Sequence, residues 1–420
     1  MDETKSVPKL RFAGFKDEWN SYYLEDVIKS FVNGQTPSRN VDSYWNGEIP
    51  WVSSGELNYN HITSTIEQIT EEGKDKANLK LLPAGTFLMA ITGLEAAGTR
   101  GSCAILDIEA TTNQSCMALF PKEDKLTTKF LYYWYLKVGE HYGIKYTQGT
   151  KQQSYNKELL EKLPIIIPNN LKEQDKITDF LSLLNLKIEL LEKKYESFVN
   201  FKKYLMQQIF AQKLRFDFDD ELKNIPFKRI LKEINEKTTV NNQHEILSST
   251  KEGIFTQKEY FADRNVASKD NTGYKILRKN QIVLSPQNLW MGNINVNTEF
   301  DIGIVSPSYK IYETTDLVDI NYFKHVIKLP RLIYEYTCAS EQGASIVRRN
   351  LNKQLFNEIT IKVPSSDEQK KIGNLLDACD EKIKNIDKNI QDMKEFKKGL
   401  LQQMFDNMPL LFKFNIIINK

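Results

Sequence analysis

The sequence predicts an α+β protein in which a mostly β globular part followed by a long helix occurs twice. Three observations predict this class: a repeated amphipathic stretch, sustained heptads upstream of each copy, and fainter matches further upstream. "FKKYLMQQIF" begins at Phe201 and "FKKGLLQQMF" at Phe396, 195 positions apart in a chain of 420 residues. A repeat on this scale sets the organisation before any local assignment.

Apolar heptads precede each copy of the repeat. Apolar residues recur every seven positions, and a second apolar series lies four positions after the first. This is the a/d pattern of paired helices. At about 1.5 Å per residue, such a helix of about 39 residues is about 58 Å long. We expect the two helices to pair as an antiparallel coiled coil with pseudo-twofold symmetry. The predicted pairing residues are Ile177, Leu184, Leu191, Phe198, Leu205, Ile372, Cys379, Ile386, Met393 and Leu400.

A lysine interrupts the apolar series of each helix at the equivalent position, Lys202 in the first helix and Lys397 in the second. We expect these lysines to lie where each helix leaves its partner and meets another protein. Asn185 also stands where the second copy has Asp380, so the two copies are not chemically identical.

The globular parts match more faintly. "PWVSSGELNY" (50–59) and "EILSSTKEGI" (245–254) lie at the same offset, and short β-branched and aromatic runs separated by turn residues predict strands in both parts. The predicted organisation is a globular domain at 1–168, a central helix at 169–212, a second domain at 213–364 with a linker at 213–224, a helix at 365–406 and a tail at 407–420.

Composition and motifs favour binding over catalysis. Four cysteines without a CxxC pair and four scattered histidines predict no metal site, and the net charge of +2 decides nothing about partners. "GLEAAGTR" has the glycine spacing of a phosphate-binding loop but Thr99 where the lysine belongs. The start does not resemble a secretory signal and no apolar run approaches the roughly 20 residues that cross a bilayer. We expect a soluble cytoplasmic protein without membrane contact.

The sequence resembles the DNA specificity subunits of Type I restriction-modification systems. The resemblance is carried by "VPKLRFAGFKDEW" (7–19), by "IPWVSSGEL" and "ILSSTKEGI", by the endings "LPIIIP" and "ITIKVP", and by the "EQ" helices that end in "LMQQIF" and "LLQQMF". It implies a chain without catalytic activity or cofactor of its own, in which each globular part is a target recognition domain for one half of a bipartite site in double-stranded DNA. It also implies that the helices set the spacer between the half-sites.

The resemblance implies partners as well. Two methyltransferase subunits would dock on the helices and use S-adenosylmethionine, and restriction (helicase-nuclease) subunits would use ATP and Mg. Base readers should be polar side chains on loops, with Lys and Arg on phosphates. The candidate DNA contacts are Ser53, Ser54, Thr99, Arg100, Gln148, Lys151, Gln152 and Gln153 in the first domain and Ser248, Ser249, Gln287, Asn288, Arg348 and Arg349 in the second.

Two other readings stay open at this point. One is an adaptor with two ligand-binding modules for protein or carbohydrate, joined by a coiled coil. The other is an enzyme with its own active site, which the missing catalytic motifs disfavour.

Overall fold

The computed structural model describes residues 7–96, 98–147, 153–216, 221–261, 270–342 and 349–405. The chain forms two compact units: unit 1 runs up to Glu192 and resumes at Lys388, and unit 2 runs from Lys193 to Asp387. The repeat and the units divide the chain differently, because each long helix contributes to both units. Among the described residues, no helix combines the length and the apolar composition needed to cross a membrane.

Unit 1 is a mixed β and α structure. Its strands are β1 (Asn20–Tyr23), β2 (Ile28–Asn33), β3 (Trp45–Val52), β4 (Asn60–Ile62), β5 (Glu67–Ile69), β6 (Phe87–Ala90), β7 (Cys103–Leu106), β8 (Thr111–Thr112), β9 (Cys116–Pro121) and β10 (Pro164–Ile167). Its helices are α1 (Leu24–Val27), α2 (Glu71–Lys76), α3 (Thr128–Lys145), α4 (Lys157–Glu161) and part of α5 (Leu171–Phe210). One sheet has the order β2-β9-β6-β7-β4, another β5-β3-β8, and β1 pairs with β10.

Unit 2 has the same kinds of element. Its strands are β11 (Lys223–Pro226), β12 (Leu231–Ile234), β13 (Leu247–Ser249), β14 (Ile254–Thr256), β15 (Lys275–Arg278), β16 (Ile282–Leu284), β17 (Ile294–Val296), β18 (Ile302–Val305), β19 (Lys310–Thr314), β20 (Ser340–Gln342), β21 (Arg349–Leu351) and β22 (Thr360–Val363). Its helices are α6 (Phe227–Ile230), α7 (Gln257–Phe261), α8 (Ile320–Val326), α9 (Pro330–Cys338), α10 (Lys353–Glu358) and part of α11 (Ser366–Met404).

The two globular parts share a topology. The strand order β2-β9-β6-β7 of unit 1 returns as β12-β19-β16-β17 in unit 2, and the pair β1-β10 returns as β11-β22. In both units the central strand is a continuous buried apolar run, Phe87–Ala90 in β6 and Ile282–Leu284 in β16. Such runs are typical of strands covered on both faces. The α+β class predicted for each half is confirmed.

The long helices pack antiparallel within each unit. In unit 1, Leu181 of α5 shares a core with Leu400 and Met404 of α11, while Glu192, further along α5, pairs with the earlier Lys394 at 2.7 Å. In unit 2, Leu205 and Ile209 of α5 share a core with Ile372 and Leu376 of α11. Of the predicted pairing residues, Ile177, Leu184, Leu205, Ile372, Cys379, Ile386 and Leu400 are buried, and Leu191, Phe198 and Met393 are half-buried.

The "EQ" dipeptides fasten each helix to its globular part. Gln174 is fully buried: its Oε1 accepts from the Thr127 N–H at 2.9 Å, and its Nε2 donates to the carbonyls of Lys125 and Pro168. Gln369 makes the same set of bonds in unit 2, to the Asp319 N–H and to the carbonyls of Leu317 and Pro364. Each glutamine thus joins the end of the last strand to the start of a core helix.

The glutamates of the same dipeptides are held by arginines from a second repeat, "KLRF" at 9–12 and at 213–216. Arg11 binds Glu173 through Nε at 2.6 Å and Nη2 at 2.8 Å, and Arg215 binds Glu368 through Nε at 3.1 Å and Nη2 at 2.6 Å. Both carboxylates are nearly inaccessible, at 2% exposure. Bidentate pairs of this kind are among the strong polar contacts in proteins.

The KLRF segments also follow the ends of the long helices in the same way. The Leu214 N–H donates to the carbonyl of Gln208 at 3.1 Å in unit 2, and the Leu10 N–H donates to the carbonyl of Gln403 at 3.2 Å in unit 1. Gln208 and Gln403 are equivalent in the repeat. The N-terminal segment of the chain therefore takes, at the end of α11, the place that the linker takes at the end of α5.

A layer of polar side chains lies between a long helix and a helix of the globular part in each unit, and its chemistry differs between the units. In unit 1 it is neutral: Tyr133 on α3 shares a hydrogen bond of 3.1 Å with Ser182 and accepts one of 2.9 Å from Asn185. The equivalent positions in unit 2 hold His325, Asp377 and Asp380, because Tyr133 and His325 are each the sixth residue of their helix.

The unit 2 layer is ionic. His325 Nε2 lies 2.8 Å from Asp377 Oδ1, Lys324 lies 2.7 Å from the same oxygen, and Lys202 pairs with Asp380. The imidazole of His325 and the carboxylates of Asp377 and Asp380 lie close enough together to hold a metal ion. Both carboxylates are already paired with lysines. Lys202 therefore faces α11 rather than leaving it, which contradicts that part of our expectation, whereas contact of Lys202 with another protein stays a prediction. Burial lowers the pKa of its counterpart Lys397.

Burial also lowers the pKa of His325, against the opposing effect of its bond to Asp377. A histidine whose folded pKa is depressed binds fewer protons in the native state, so its contribution to stability is present above the unfolded pKa of about 6.5 and is lost as the pH falls below it.

We predict that Arg215→Met destabilises unit 2 by about 3 to 5 kcal/mol, because it leaves the Glu368 carboxylate buried without its partner. Denaturant unfolding followed by the ¹⁹F resonance of 5-fluorotryptophan at Trp290, which is the tryptophan of residues 193–387, measures this unit.

The matched control is Lys228→Met, which breaks the Lys228–Glu358 pair, more than half exposed on both sides. It should cost about 0 to 1 kcal/mol. Adding Glu368→Gln to Arg215→Met should recover much of the loss. Equal costs for the buried and the exposed pair would contradict this account.

We predict that the melting temperature of the wild type falls between pH 7 and pH 5.5 more steeply than that of His325→Gln. Glutamine can bond Asp377 but does not titrate, so the difference between the two proteins isolates His325 from the other three histidines. Parallel pH profiles for the two proteins would refute a role for His325 in acid stability.

Candidate nucleic-acid interface

In unit 1 the candidate residues gather on a loop that follows β6. The Leu94 N–H donates to the carbonyl of Gln153 at 3.1 Å, and the Gln153 N–H donates to Glu95 Oε2 at 2.9 Å. The segment that precedes α4 therefore lies against the loop that carries Thr99 and Arg100. Gln148, Lys151 and Gln152 lie outside the described residues.

Arg100 holds this loop in shape. Its Nε donates to the carbonyl of Leu94 at 2.7 Å and its Nη2 to the carbonyl of Glu95 at 2.8 Å. The loop packs on α3 where a Cβ at Gly143 would lie 2.4 Å from Arg100 Cγ, and a Cβ at Gly101 would lie 2.7 Å from the backbone of Glu140. Gly101 of "GLEAAGTRG" thus allows close packing on α3, and carbonyls largely occupy the Arg100 guanidinium.

In unit 2 the equivalent loop follows β16 and contains Gln287 and Asn288. The Arg349 N–H donates to the carbonyl of Gln287 at 3.2 Å. The Arg349 guanidinium lies 4.4 Å from the centre of the Trp290 ring, a cation–π contact. Within the described residues, no hydrogen-bond acceptor reaches the buried Arg349 Nε. Gln287 is exposed and Asn288 half-buried, whereas Arg348 lies outside the described residues.

The paired serines have structural partners. Ser53 bonds Glu56 Oε2 through its N–H at 2.8 Å and its Oγ at 2.9 Å, and so starts the short 3-10 turn that contains Ser54. Ser249 is 3% exposed, and its Oγ bonds Asn293 and Asn295, both at 2.8 Å. Ser248 is half-buried on β13. Ser249 has no accessible face for a base edge, so we leave it out of the interface proposed below.

Two aromatic–cation groups escaped the sequence analysis. One consists of Trp290 and Arg349. In the other, Arg39 lies 3.8 Å from the centre of the Trp45 ring and 5.1 Å from that of Trp51, and it also pairs with Glu67. A cavity of about 530 Å³ is lined by Arg39, Trp45 and Glu67 among others. The closely spaced basic and aromatic residues of "SRN", "YWNG" and "PW" could have indicated the Arg39 group, since basic and aromatic residues together are typical of nucleic-acid surfaces.

Residues 16–197 match the family model of the Type I restriction modification DNA specificity domain. The chain is similar to this family over these residues, which make up fewer than half of its 420. It is 29% identical over 219 residues to the MjaIX specificity subunit of Methanocaldococcus jannaschii, covering 50% of this chain and 49% of that protein. It is 29% identical over 202 residues to the EcoR124I/EcoR124II specificity subunit of Escherichia coli, covering 44% and 48%. These matches span about half the length of each relative.

Longer matches are more distant. The putative MjaX specificity subunit of Methanocaldococcus jannaschii is 24% identical over 94% of this chain and 95% of that protein. The crystal structure of a Type I S subunit from M. genitalium is similar with a TM-score of 0.58 at 17% identity, over 95% of this chain and 99% of that chain. A chain from a structure of the type I R-M system gives 0.55 at 15% identity over 92% and 97%. The fold predicted from the repeat is therefore the fold of known specificity subunits.

Proposed function

We propose that this chain is a DNA specificity subunit in which each globular part reads one half of a bipartite site in double-stranded DNA. The supporting observation is the duplication in this chain, together with its similarity to Type I specificity subunits. In both units a loop after a central strand, β6 or β16, lies against the segment before a short helix, α4 or α10. A protein that presents one kind of polar loop twice is suited to a target with two separated halves.

The reader surface of unit 2 is better defined than that of unit 1. Gln287 exposes an amide, which can bond adenine at two positions, and Arg349 presents a guanidinium, which can bond guanine at two positions. The Trp290 ring beneath Arg349 limits the conformations of that side chain, so less entropy is lost when it binds. In unit 1 we assign the reader role to Thr99 and Gln153, with Arg100 supporting the loop.

We propose that the long helices set the spacer between the half-sites. A 40-residue helix such as α5 is about 60 Å long. Readers on one face of B-DNA fit best about 34 to 36 Å apart, one helical turn, which such a helix can accommodate. The helix length also makes exposed surface available for two methyltransferase subunits.

The chemistry is assigned to the partners. We propose that the chain is not itself an enzyme and that methyltransferase subunits supply S-adenosylmethionine chemistry, while restriction subunits supply ATP and Mg chemistry. The proposed place of action is the cytoplasm, where the DNA of a prokaryotic cell lies. Sequencing the methylated bases of cells that express the chain with its methyltransferase tests the proposal: a bipartite motif is expected, and an unsplit motif or no motif would refute it.

We predict that Arg349→Ala relaxes or weakens recognition at one half-site only, by about 1 to 3 kcal/mol per affected base pair. The measurement is the affinity of the assembled methyltransferase complex for duplexes that carry substitutions in either half-site. Arg278→Ala is the control, since this arginine of the same unit is half-exposed and pairs with Glu236. Equal loss at both half-sites would contradict the assignment of one unit to one half-site.

We predict that four residues inserted after Glu192 change the preferred spacer or prevent assembly. The insertion lengthens α5 by about one turn of 5.4 Å and shifts the seam where Glu192 meets Lys394. Duplexes with spacers of different lengths measure the preference of any intact complex. An intact complex with its original spacer preference would refute the ruler role of the helices.

A further inference from the structure

An apolar groove of about 510 Å³ opens on unit 2 beside the end of α5. Met206 and Phe210 of α5 and Leu329 and Pro330 before and at the start of α9 lie along it, each half-buried or exposed. Val199, about two turns before Met206 on α5, extends the apolar lining and is 38% exposed. A cleft of this volume is in the range that takes bulky ligand groups.

Cations surround the apolar lining. The described lining residues include six cations and one carboxylate, Glu368, which is buried under Arg215. Three of the cations, Lys203, Arg331 and Lys362, are exposed. Glu368 is the one acid among the described lining residues, so the described rim carries a net positive charge.

Lys328 lies deeper in the groove and donates to the carbonyls of Lys251 at 3.1 Å and Gly292 at 2.9 Å. Burial lowers the pKa of Lys328 to about 8. A bound anion nearby would favour its charged form, so anion binding and protonation at this lysine would reinforce each other.

We propose that this groove binds an acidic amphipathic helix of a protein partner, which under the function proposed above is a methyltransferase subunit. An amphipathic helix places apolar side chains at i, i+3, i+4 and i+7 on one stripe, which fits the apolar lining, and its acidic flanks fit the rim. The phosphate backbone of DNA would match the rim but not the apolar lining, because protein–DNA interfaces are more polar and more charged.

Charge reversal on the rim is the first test. Lys203→Glu with Arg331→Glu should weaken binding of the cognate methyltransferase subunit to the full chain at least tenfold, because attraction is replaced by repulsion. The control is Lys232→Glu with Lys279→Glu, two exposed lysines of the same unit that do not line the groove, and it should change affinity less than twofold. Melting temperatures of both variants check that the fold is retained.

The second test identifies the occupant. A photo-crosslinking amino acid at Val199 in the assembled complex should capture a methyltransferase peptide that is acidic and has helical apolar spacing. Capture of DNA, of a second copy of this chain or of a peptide without acidic residues would overturn the proposal. So would a wild-type complex whose affinity the rim reversal leaves unchanged, whereas the failure of the wild type to bind any methyltransferase would overturn the proposed function and this inference together.

Discussion

A buried arginine–glutamate pair and its neighbouring glutamine hold each half of this protein together. In unit 1, Arg11 clamps Glu173 while Gln174 ties the end of β10 to the start of α3. Without Arg11, the Glu173 carboxylate would be buried and uncompensated, which is among the costliest defects in a protein interior. The direction in which the long helix leaves the globular part therefore depends on this small cluster.

The same cluster explains why the chain has two different repeat offsets. The helices repeat at 195 positions, but the KLRF segments that supply Arg11 and Arg215 repeat at 204. Each arginine precedes its globular part in sequence and binds the glutamate that follows that part. The beginning and the end of each globular part are thus joined by one ion pair, which closes each domain upon itself.

The two units reach the same packing by different chemistry at one layer. Tyr133 with Ser182 and Asn185 needs no charge, whereas His325 and its acidic neighbours need two lysines to balance them. Duplicated halves of one chain can therefore keep the same backbone while differing in their response to pH. The difference between Asn185 and Asp380 was visible in the sequence, but its meaning depended on Tyr133 and His325, which lie about fifty residues away.

The sequence by itself determined the duplication, the two long helices, their apolar seams and the mostly β character of the globular parts, because heptads and strand patterns are local signals that need no tertiary information. The tertiary structure alone decided which polar residues are accessible. Ser249 and Arg100 look like readers in the sequence, yet Ser249 is buried among asparagines and Arg100 is bound to carbonyls. Trp290 carries no periodic signal, and only the approach of Arg349 marks it. Loop side chains acquire their roles from partners distant in sequence, and no local pattern records those contacts.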